Sequence, residues 1–266
     1  MNEGPLDGQI AVVTGALGNL GPIWVRALAG AGARVAGIDL RDDGADELER
    51  AVAEAPGEYA HELGDVGAKD ELEAIRARVD DRWGVANVLV CNAGIDQPPE
   101  AAAETRRVEE IASEDFRSTL DVNLVGTFHA IQVFGTAMAD AGRGSIITIG
   151  SIYASQAPDP KLYDHMPVDP PFLKPPAYGA SKAGVINLSR YFARLWGPRG
   201  VRVNALSPGG VRGEQDAEFV RKYTERVPLG RLAEPDDLGG PLIFLASDAS
   251  RYLTGQELRV DGGLAA

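Results

Sequence analysis

Tyr178 and Lys182 stand four residues apart in the stretch YGASK, past the middle of a 266-residue chain. On a helix that spacing puts both side chains on one face, one turn apart. An ammonium beside a phenol favours the phenolate, which makes the pair a candidate proton carrier. Free tyrosine titrates near ~10, and a base working near neutrality should sit about 2 to 3 units lower, a preference of roughly 3 to 4 kcal/mol. One cation about 4 Å away, at an effective dielectric near 20, supplies about 4 kcal/mol. The same spacing also fits an ordinary helix face, so its meaning depends on its surroundings.

A second group of residues has dinucleotide chemistry. TGALGNLG (Thr14–Gly21) ends the apolar run QIAVVTG and opens the helical stretch GPIWVRALAGAGA. Glycines there let backbone amides approach a pyrophosphate, whose charge then lies at a helix N-terminus. A plain glycine turn is the alternative. Asp39 closes the next apolar run, ARVAGIDL. A carboxylate in that place accepts hydrogen bonds from both ribose hydroxyls of an adenosine and repels a 2′-phosphate; an ordinary polar strand end is the alternative. Arg41 could reach a phosphate, but the glycine turn offers no basic residue to help it. The reading is NAD over NADP.

The elements that must position these residues alternate along the chain. After the second strand come the helix ADELERAVAEA and the strands YAHELGDV and ANVLVCNAG, separated by the amphipathic AKDELEAIRARVDDRW. A long helix is expected over about 113–139, then the strand GSIITIGS. The YGASK helix runs on through VINLSRYFARLW, followed by the strand VRVNALSPGG, a helix near DDLGGPLIFLAS and the closing strand QELRVDGG. This rhythm predicts an α/β fold: a Rossmann-type doubly wound parallel sheet of about seven strands with helices on both faces, in one domain over 1–266. Two stretches break it, the proline-rich 156–176 and the polar 209–235.

The totals agree with a metal-free cytoplasmic protein. The net charge of −13 argues against a nucleic-acid partner. No apolar run approaches the roughly 18 residues of a membrane helix, and the polar start MNEGPLDGQI is unlike a secretory signal. A single cysteine, Cys91, excludes an intrachain disulfide and suits the cytosol. His61, His129 and His165 lack the spacing of a metal site.

Taken in order, the motifs TGALGNLG, Asp65 in GDV, CNAG, Asn123 in DVNLVG, Ser151 in IGS, YGASK, SPGG and the closing TGQELRVDGG resemble the short-chain dehydrogenase/reductase family across almost the whole chain. The resemblance implies hydride transfer between a secondary alcohol and the nicotinamide ring of NAD. It makes Tyr178 the general acid/base, with Lys182 tuning it and holding the nicotinamide ribose. Ser151 would bond the substrate oxygen, and Asn123 would anchor a water linking Lys182 to solvent. The cofactor positions it implies are Gly15, Asn19, Leu20, Gly21, Asp39, Leu40, Asp65, Val66, Asn92, Ala93, Gly94, Tyr178, Lys182, Pro208, Gly209 and Val211. Three residues depart from the pattern. Asn19 replaces a glycine, and asparagine tolerates a left-handed backbone better than most residues. Cys91 replaces the first asparagine of the family's NNAG and reads as a packing residue. Gly213 stands where a threonine often binds the nicotinamide amide, a contact that would pass to a group such as the Val211 backbone.

In most members the serine stands much closer to the tyrosine; here the whole of Ile152–Ala177 separates them. An insertion between two catalytic residues should emerge beside the substrate, and its prolines favour a preformed wall over a floppy lid. A surface loop with no substrate role is the alternative. Lys161, Tyr163, Asp164, His165 and Lys174 suit a hydroxyl-rich or anionic substrate, whereas Met166, Phe172 and Leu173 suit an apolar one. The substrate candidates are Tyr153, Tyr163, His165 and Gln215. SIYASQAPDPKLYD, PPAYGASK and SPGGVRGEQ are similar to members found in bacterial nonulosonic-acid and sugar-modification pathways, which implies a sugar, polyol or hydroxy acid. A cyclic or terpenoid alcohol is the runner-up, and a non-catalytic NAD-binding regulatory protein the rival of another class. Val185, Ile186, Leu188, Tyr191, Phe192, Leu195 and Trp196 spread over more of the helix than one sheet face covers. That spread, with the family's habit, predicts a homotetramer.

Overall fold

The computed structural model describes residues 4–96 and 105–266, so the first residues of the polar opening stretch lie outside it. Seven strands form one all-parallel sheet in the order β3-β2-β1-β4-β5-β6-β7. They are β1 (Ile10–Thr14), β2 (Arg34–Asp39), β3 (Glu58–Leu63), β4 (Val88–Cys91), β5 (Gly144–Ile149), β6 (Val201–Pro208) and β7 (Glu257–Val260). Both faces are covered, as a parallel sheet requires. Successive residues of β1 serve opposite faces: Ala11 and Val13 join one core, Ile10 and Val12 the other. The first core packs α1 (Gly21–Gly30), α2 (Ala45–Val52) and α9 (Pro235–Ala246) through Trp24, Leu28, Leu48 and Leu242. The second packs α3 (Lys69–Trp83), a long central helix and α7 (Pro176–Trp196) through Leu72, Phe134, Phe192 and Trp196.

The strand order reverses at β1, which pairs with β2 on one side and β4 on the other. A crevice therefore opens at the carboxyl ends of these strands, the usual ligand position in such a sheet. Glycine turn, CNAG, Ser151 and SPGG all follow strand ends and converge there.

The long central helix is continuous over α4 (Ser113–Leu120), α5 (Gly126–Ala130) and α6 (Thr136–Asp140). Two π-helical turns, Asp121–Val125 and Ile131–Gly135, join them. Asn123 lies in the first, and π turns inside α-helices often mark functional positions. Among the described residues no helix is long and apolar enough to cross a membrane.

The two irregular stretches are less irregular than their composition predicts, and they form one body. The polar stretch contains α8 (Ala217–Thr224), capped by Asp216, whose Oδ1 accepts from the N–H groups of Glu218 and Phe219 at 3.0 and 2.9 Å. Phe219 and Tyr223, one turn apart, pack with Leu162, Tyr163 and Phe172 of the insertion in a third buried cluster. Tyr163 stacks on Phe219 with ring centres 5.6 Å apart. Around that stack His165 meets Asp216 at 2.8 Å, Lys222 pairs with Asp164, and Arg226 meets Asp159 at 2.8 Å.

Candidate active site

Helix α7 begins where its sequence allows. Pro175 caps it and Pro176 opens it, a position that needs no backbone N–H, so Tyr178 and Lys182 fall in its first two turns. Gly179 lets the chain after Ser151 come close, since a Cβ there would lie 2.9 Å from the Tyr153 carbonyl oxygen. Ser151 leaves β5 in extended conformation and is buried, and its hydroxyl accepts from Tyr153 N–H at 3.2 Å. It also acts on the Tyr178 phenol, favouring the phenolate. The serine–tyrosine–lysine set is assembled despite the long insertion.

The electrostatics differ from the expectation for the isolated pair. Desolvation pushes the Tyr178 phenol well above its ordinary value, and the Asp96 carboxylate adds to the rise; Ser151 opposes it. Lys182 is bound to the backbone. Its ammonium lies 5.8 Å from the centre of the Tyr178 ring and donates to the Ile149 carbonyl at 2.8 Å. Burial lowers Lys182 itself to about 8, with Asp96 and Cys91 opposing. Tyr178 is therefore a neutral phenol near neutrality until further positive charge arrives. Burial likewise pushes the Cys91 thiol up, which fits its reading as a packing residue.

Asn123 is fully buried, and its amide is engaged at both ends. Oδ1 accepts from Ile95 N–H at 2.7 Å, while Nδ2 donates to the Ile95 carbonyl at 3.1 Å and to Ser181 Oγ at 3.0 Å. Its backbone carbonyl accepts from Thr127 at 2.7 Å. The structure thus places Asn123 as a brace between the chain after CNAG and helix α7.

The crevice fits a dinucleotide. Gly15 has φ +65°, and a Cβ there would lie 2.7 Å from Ala93 Cα; a Cβ on Gly21 would lie 2.2 Å from the Gly15 carbonyl. Only glycine permits that approach of turn, helix and CNAG. Leu20 caps α1 and leads into Gly21 and Pro22, so the start of α1 lies at the crevice, with Gly21 N–H on the Gly18 carbonyl at 3.2 Å. Asn19 is exposed and not left-handed, since among the described residues only glycines have positive φ. The tolerance invoked for it is not needed. Thr14 Oγ1 accepts from Asn92 and Ala93 N–H, both at 3.1 Å, and the Asn92 amide ties Gly15 to Trp24. Asp39 Oδ2 accepts from Leu17 N–H at 2.9 Å, which fixes the carboxylate beside the turn, with exposed Leu40 next to it. Asp65 accepts from Gly67 N–H at 2.7 Å, and Val66 is buried against Gly126. Gly94 lies against Asn123 and Lys182. Pro208 ends β6, Gly209 donates to the Val260 carbonyl at 2.9 Å, and Val211 bridges to Ala233.

The substrate candidates separate into two kinds. Tyr153 sits edge-on to Tyr178 with ring centres 6.5 Å apart, at the reacting end. Tyr163 is buried behind it, its hydroxyl 3.3 Å from that of Tyr153. His165 and Gln215 are braces: both His165 ring nitrogens meet α8, at Asp216 and at Lys222, and Gln215 donates to the Val211 carbonyl at 2.8 Å. That bond engages the Val211 carbonyl, one of the two backbone groups available to a nicotinamide amide. One residue was not foreseen as part of the site. Asp96, just past CNAG, binds Lys174 of the insertion at 2.7 Å. An acid so soon after a strand-end glycine motif was the available signal.

Fold and site together define a dinucleotide-binding oxidoreductase architecture. A family model described as enoyl-(acyl carrier protein) reductase matches residues 15–265. The D-threitol dehydrogenase of Mycolicibacterium smegmatis is 36% identical over 97% of this chain and 93% of its own. A cyclohexanol dehydrogenase from a Rhodococcus species is 31% identical over 98% and 97%. The crystal structure of a gluconate 5-dehydrogenase from Burkholderia cenocepacia, in complex with NADP and tartrate, superposes with a TM-score of 0.82 at 30% identity, covering 98% and 96%. The chain belongs to the short-chain dehydrogenase/reductase family.

Proposed function

We propose that the chain interconverts a secondary alcohol and a ketone with NAD(H), Tyr178 acting as general acid and base. The observation that carries this is the joining of Ser151, Tyr178 and Lys182 at the mouth of a glycine-lined crevice. When bound, the nicotinamide supplies hydride acceptance or donation and, in its oxidised form, positive charge. Gly15, Gly21, Asp39, Asp65, Asn92 and Lys182 would hold the dinucleotide. Tyr178 starts as a neutral phenol and is thus ready to give a proton to a ketone oxygen. In the direction of oxidation it must first lose one, and each added positive charge favours that loss. Ser151, which acts on the phenol, would bond the same substrate oxygen.

NAD is favoured over NADP because Asp39 is fixed at the turn by Leu17. Arg41 is engaged with the Leu17 carbonyl at 2.7 Å and with Asp39 and Asp43 at 3.9 and 3.8 Å. The substrate is a sugar, polyol or hydroxy-acid derivative, a reading supported by the threitol and gluconate relatives. The cyclohexanol relative favours a cyclic alcohol as the second reading. Segments 156–176 and 209–235 form the substrate wall. The chain works as a cytoplasmic homotetramer through α7 and the central helix, where Tyr191, Leu195 and Phe128 remain exposed; light scattering tests this. The decisive experiment is NADH formation with an alcohol panel. Tyr178→Phe should retain NADH binding and lose nearly all turnover, and undiminished turnover would exclude the mechanism.

A further inference from the structure

Helix α1 makes a polar contact that its apolar core does not require. Trp24 is fully buried in the first core with Val25, Leu28 and Ala29, yet its indole Nε1–H donates to Asn92 Oδ1 at 2.8 Å. An indole nitrogen can only donate, so this bond fixes which end of the Asn92 amide faces the helix. The other end, Nδ2, donates to the Gly15 carbonyl at 2.8 Å. That carbonyl also accepts from Gly18 N–H at 3.2 Å, and a Cβ on Gly21 would lie 2.2 Å from it. Trp24 thus reaches the centre of the glycine turn through a single side chain.

The backbone closes the same loop. Asn92 N–H donates to Thr14 Oγ1 at 3.1 Å, directly before the turn, and Trp24 N–H donates to the Leu20 carbonyl at 3.2 Å in the first turn of α1. The end of β1, the start of α1 and the chain after β4 are joined around the Asn92 amide. Gly15, at φ +65°, has the backbone freedom that lets the turn form and also lets it wander. A turn that must be ordered when a pyrophosphate arrives binds it less well than one already held.

We infer that Trp24 is a positioning residue for the dinucleotide: its indole N–H, acting through Asn92, holds the Gly15 carbonyl and preorganises the turn that receives the pyrophosphate. This rests on the reading of the crevice as an NAD(H) site and adds to it a buried residue outside the glycine motif. The core would accept an aliphatic side chain at this place; the bond to Asn92 is what selects tryptophan.

The test compares wild type with Trp24→Phe, with β-(3-benzothienyl)alanine incorporated at position 24, and with Leu28→Ala. The benzothienyl side chain keeps the shape of the indole and lacks its N–H, so it removes the bond without emptying the core. Leu28→Ala empties the same core one turn further along α1 and leaves the bond in place. The readouts are calorimetric NADH affinity and, without ligand, hydrogen exchange of the Ala16, Leu17 and Gly18 amides, each of which is bonded in the held turn. Both position-24 variants should weaken NADH binding about tenfold, the worth of one hydrogen bond, and accelerate exchange at these amides. Leu28→Ala should weaken NADH binding by no more than about threefold, although it loses more stability than the isosteric variant. A merely structural role for Trp24 would make affinity follow stability, with Leu28→Ala binding NADH more weakly than the benzothienyl protein. That order, a benzothienyl protein that binds NADH like wild type, or unchanged exchange at the three amides overturns the inference. The isosteric variant decides the matter even if Trp24→Phe does not fold. If wild type binds neither NADH nor NADPH, the dinucleotide reading fails instead, and exchange alone decides whether Trp24 holds the turn.

Discussion

Replacing Lys182 by methionine separates what the site needs from what the fold prefers. The ammonium is almost fully buried, and burial lowers its pKa from 10.5 to about 8. Between those values the unfolded chain holds the proton and the native chain does not. Stability of the ligand-free protein should therefore rise with pH from about 8 to 10.5. One such group contributes a rise of roughly 2 to 3 kcal/mol between about pH 7 and 10. Methionine has no proton to lose, so Lys182→Met should lack this rise. At pH 7 the variant is relieved of about 3 kcal/mol of charge burial and loses about 1 kcal/mol with the bond to the Ile149 carbonyl. It should be more stable than wild type by about 2 kcal/mol, while turnover falls to near nothing. Urea unfolding of both proteins at pH 7, 8, 9 and 10 measures this directly, and the difference cancels the tyrosines common to both. Parallel stability curves, or a variant less stable at pH 7, would refute the account of Lys182 as a destabilising charge kept for chemistry.

Phe219→Ala should open the third cluster locally. Truncating a buried phenylalanine costs about 3 kcal/mol or more, so hydrogen exchange within 159–172 and 217–227 should accelerate together by roughly a hundredfold with the sheet unchanged; acceleration of only one segment would show that they are not one body. Gly15→Ala should cost at least about 2 kcal/mol, because φ is +65° and the new Cβ meets backbone. It should also abolish NADH binding, and tight binding in a fluorescence titration would contradict the close approach of turn and CNAG. Asp39→Ala should weaken NAD and improve NADP binding, narrowing the preference about tenfold or more through loss of a charged hydrogen-bond acceptor; unchanged selectivity would remove Asp39 from the argument.

What was legible in the sequence was what local spacing encodes. The Tyr178–Lys182 pair, the glycine turn and Asp39 each depend on neighbours a few residues away, and strand alternation placed them at one end of the sheet. The direction of the Tyr178 shift was not legible. It depends on where the Lys182 ammonium turns, towards the Ile149 carbonyl, and on an acid contributed from the far side by Asp96. Helix α8 was hidden for a related reason. Its Asp216 cap and its Phe219–Tyr223 pair are visible signals, but an eight-residue amphipathic helix has no stability of its own. Only its partner, the insertion about 50 residues earlier in the chain, gives its apolar face somewhere to go.

That division of the information bears on how substrate choice is built. Hydride-transfer chemistry needs groups held within one helix and two strand ends, so it can be kept by short motifs. The surroundings of the phenol are assembled from segments distant in sequence: Asp96 after β4, Lys174 at the end of the insertion, and α8 behind Tyr163. Lys174 sits directly before the two prolines that start α7, four residues from Tyr178. The rigid start of the helix that sets the phenol therefore also sets the lysine that seats Asp96. A change in the insertion that moved Lys174 would act on Asp96, 2.7 Å away, before it disturbed the serine–tyrosine–lysine set, so the wall beside the phenol can vary on this scaffold while the set itself stays fixed.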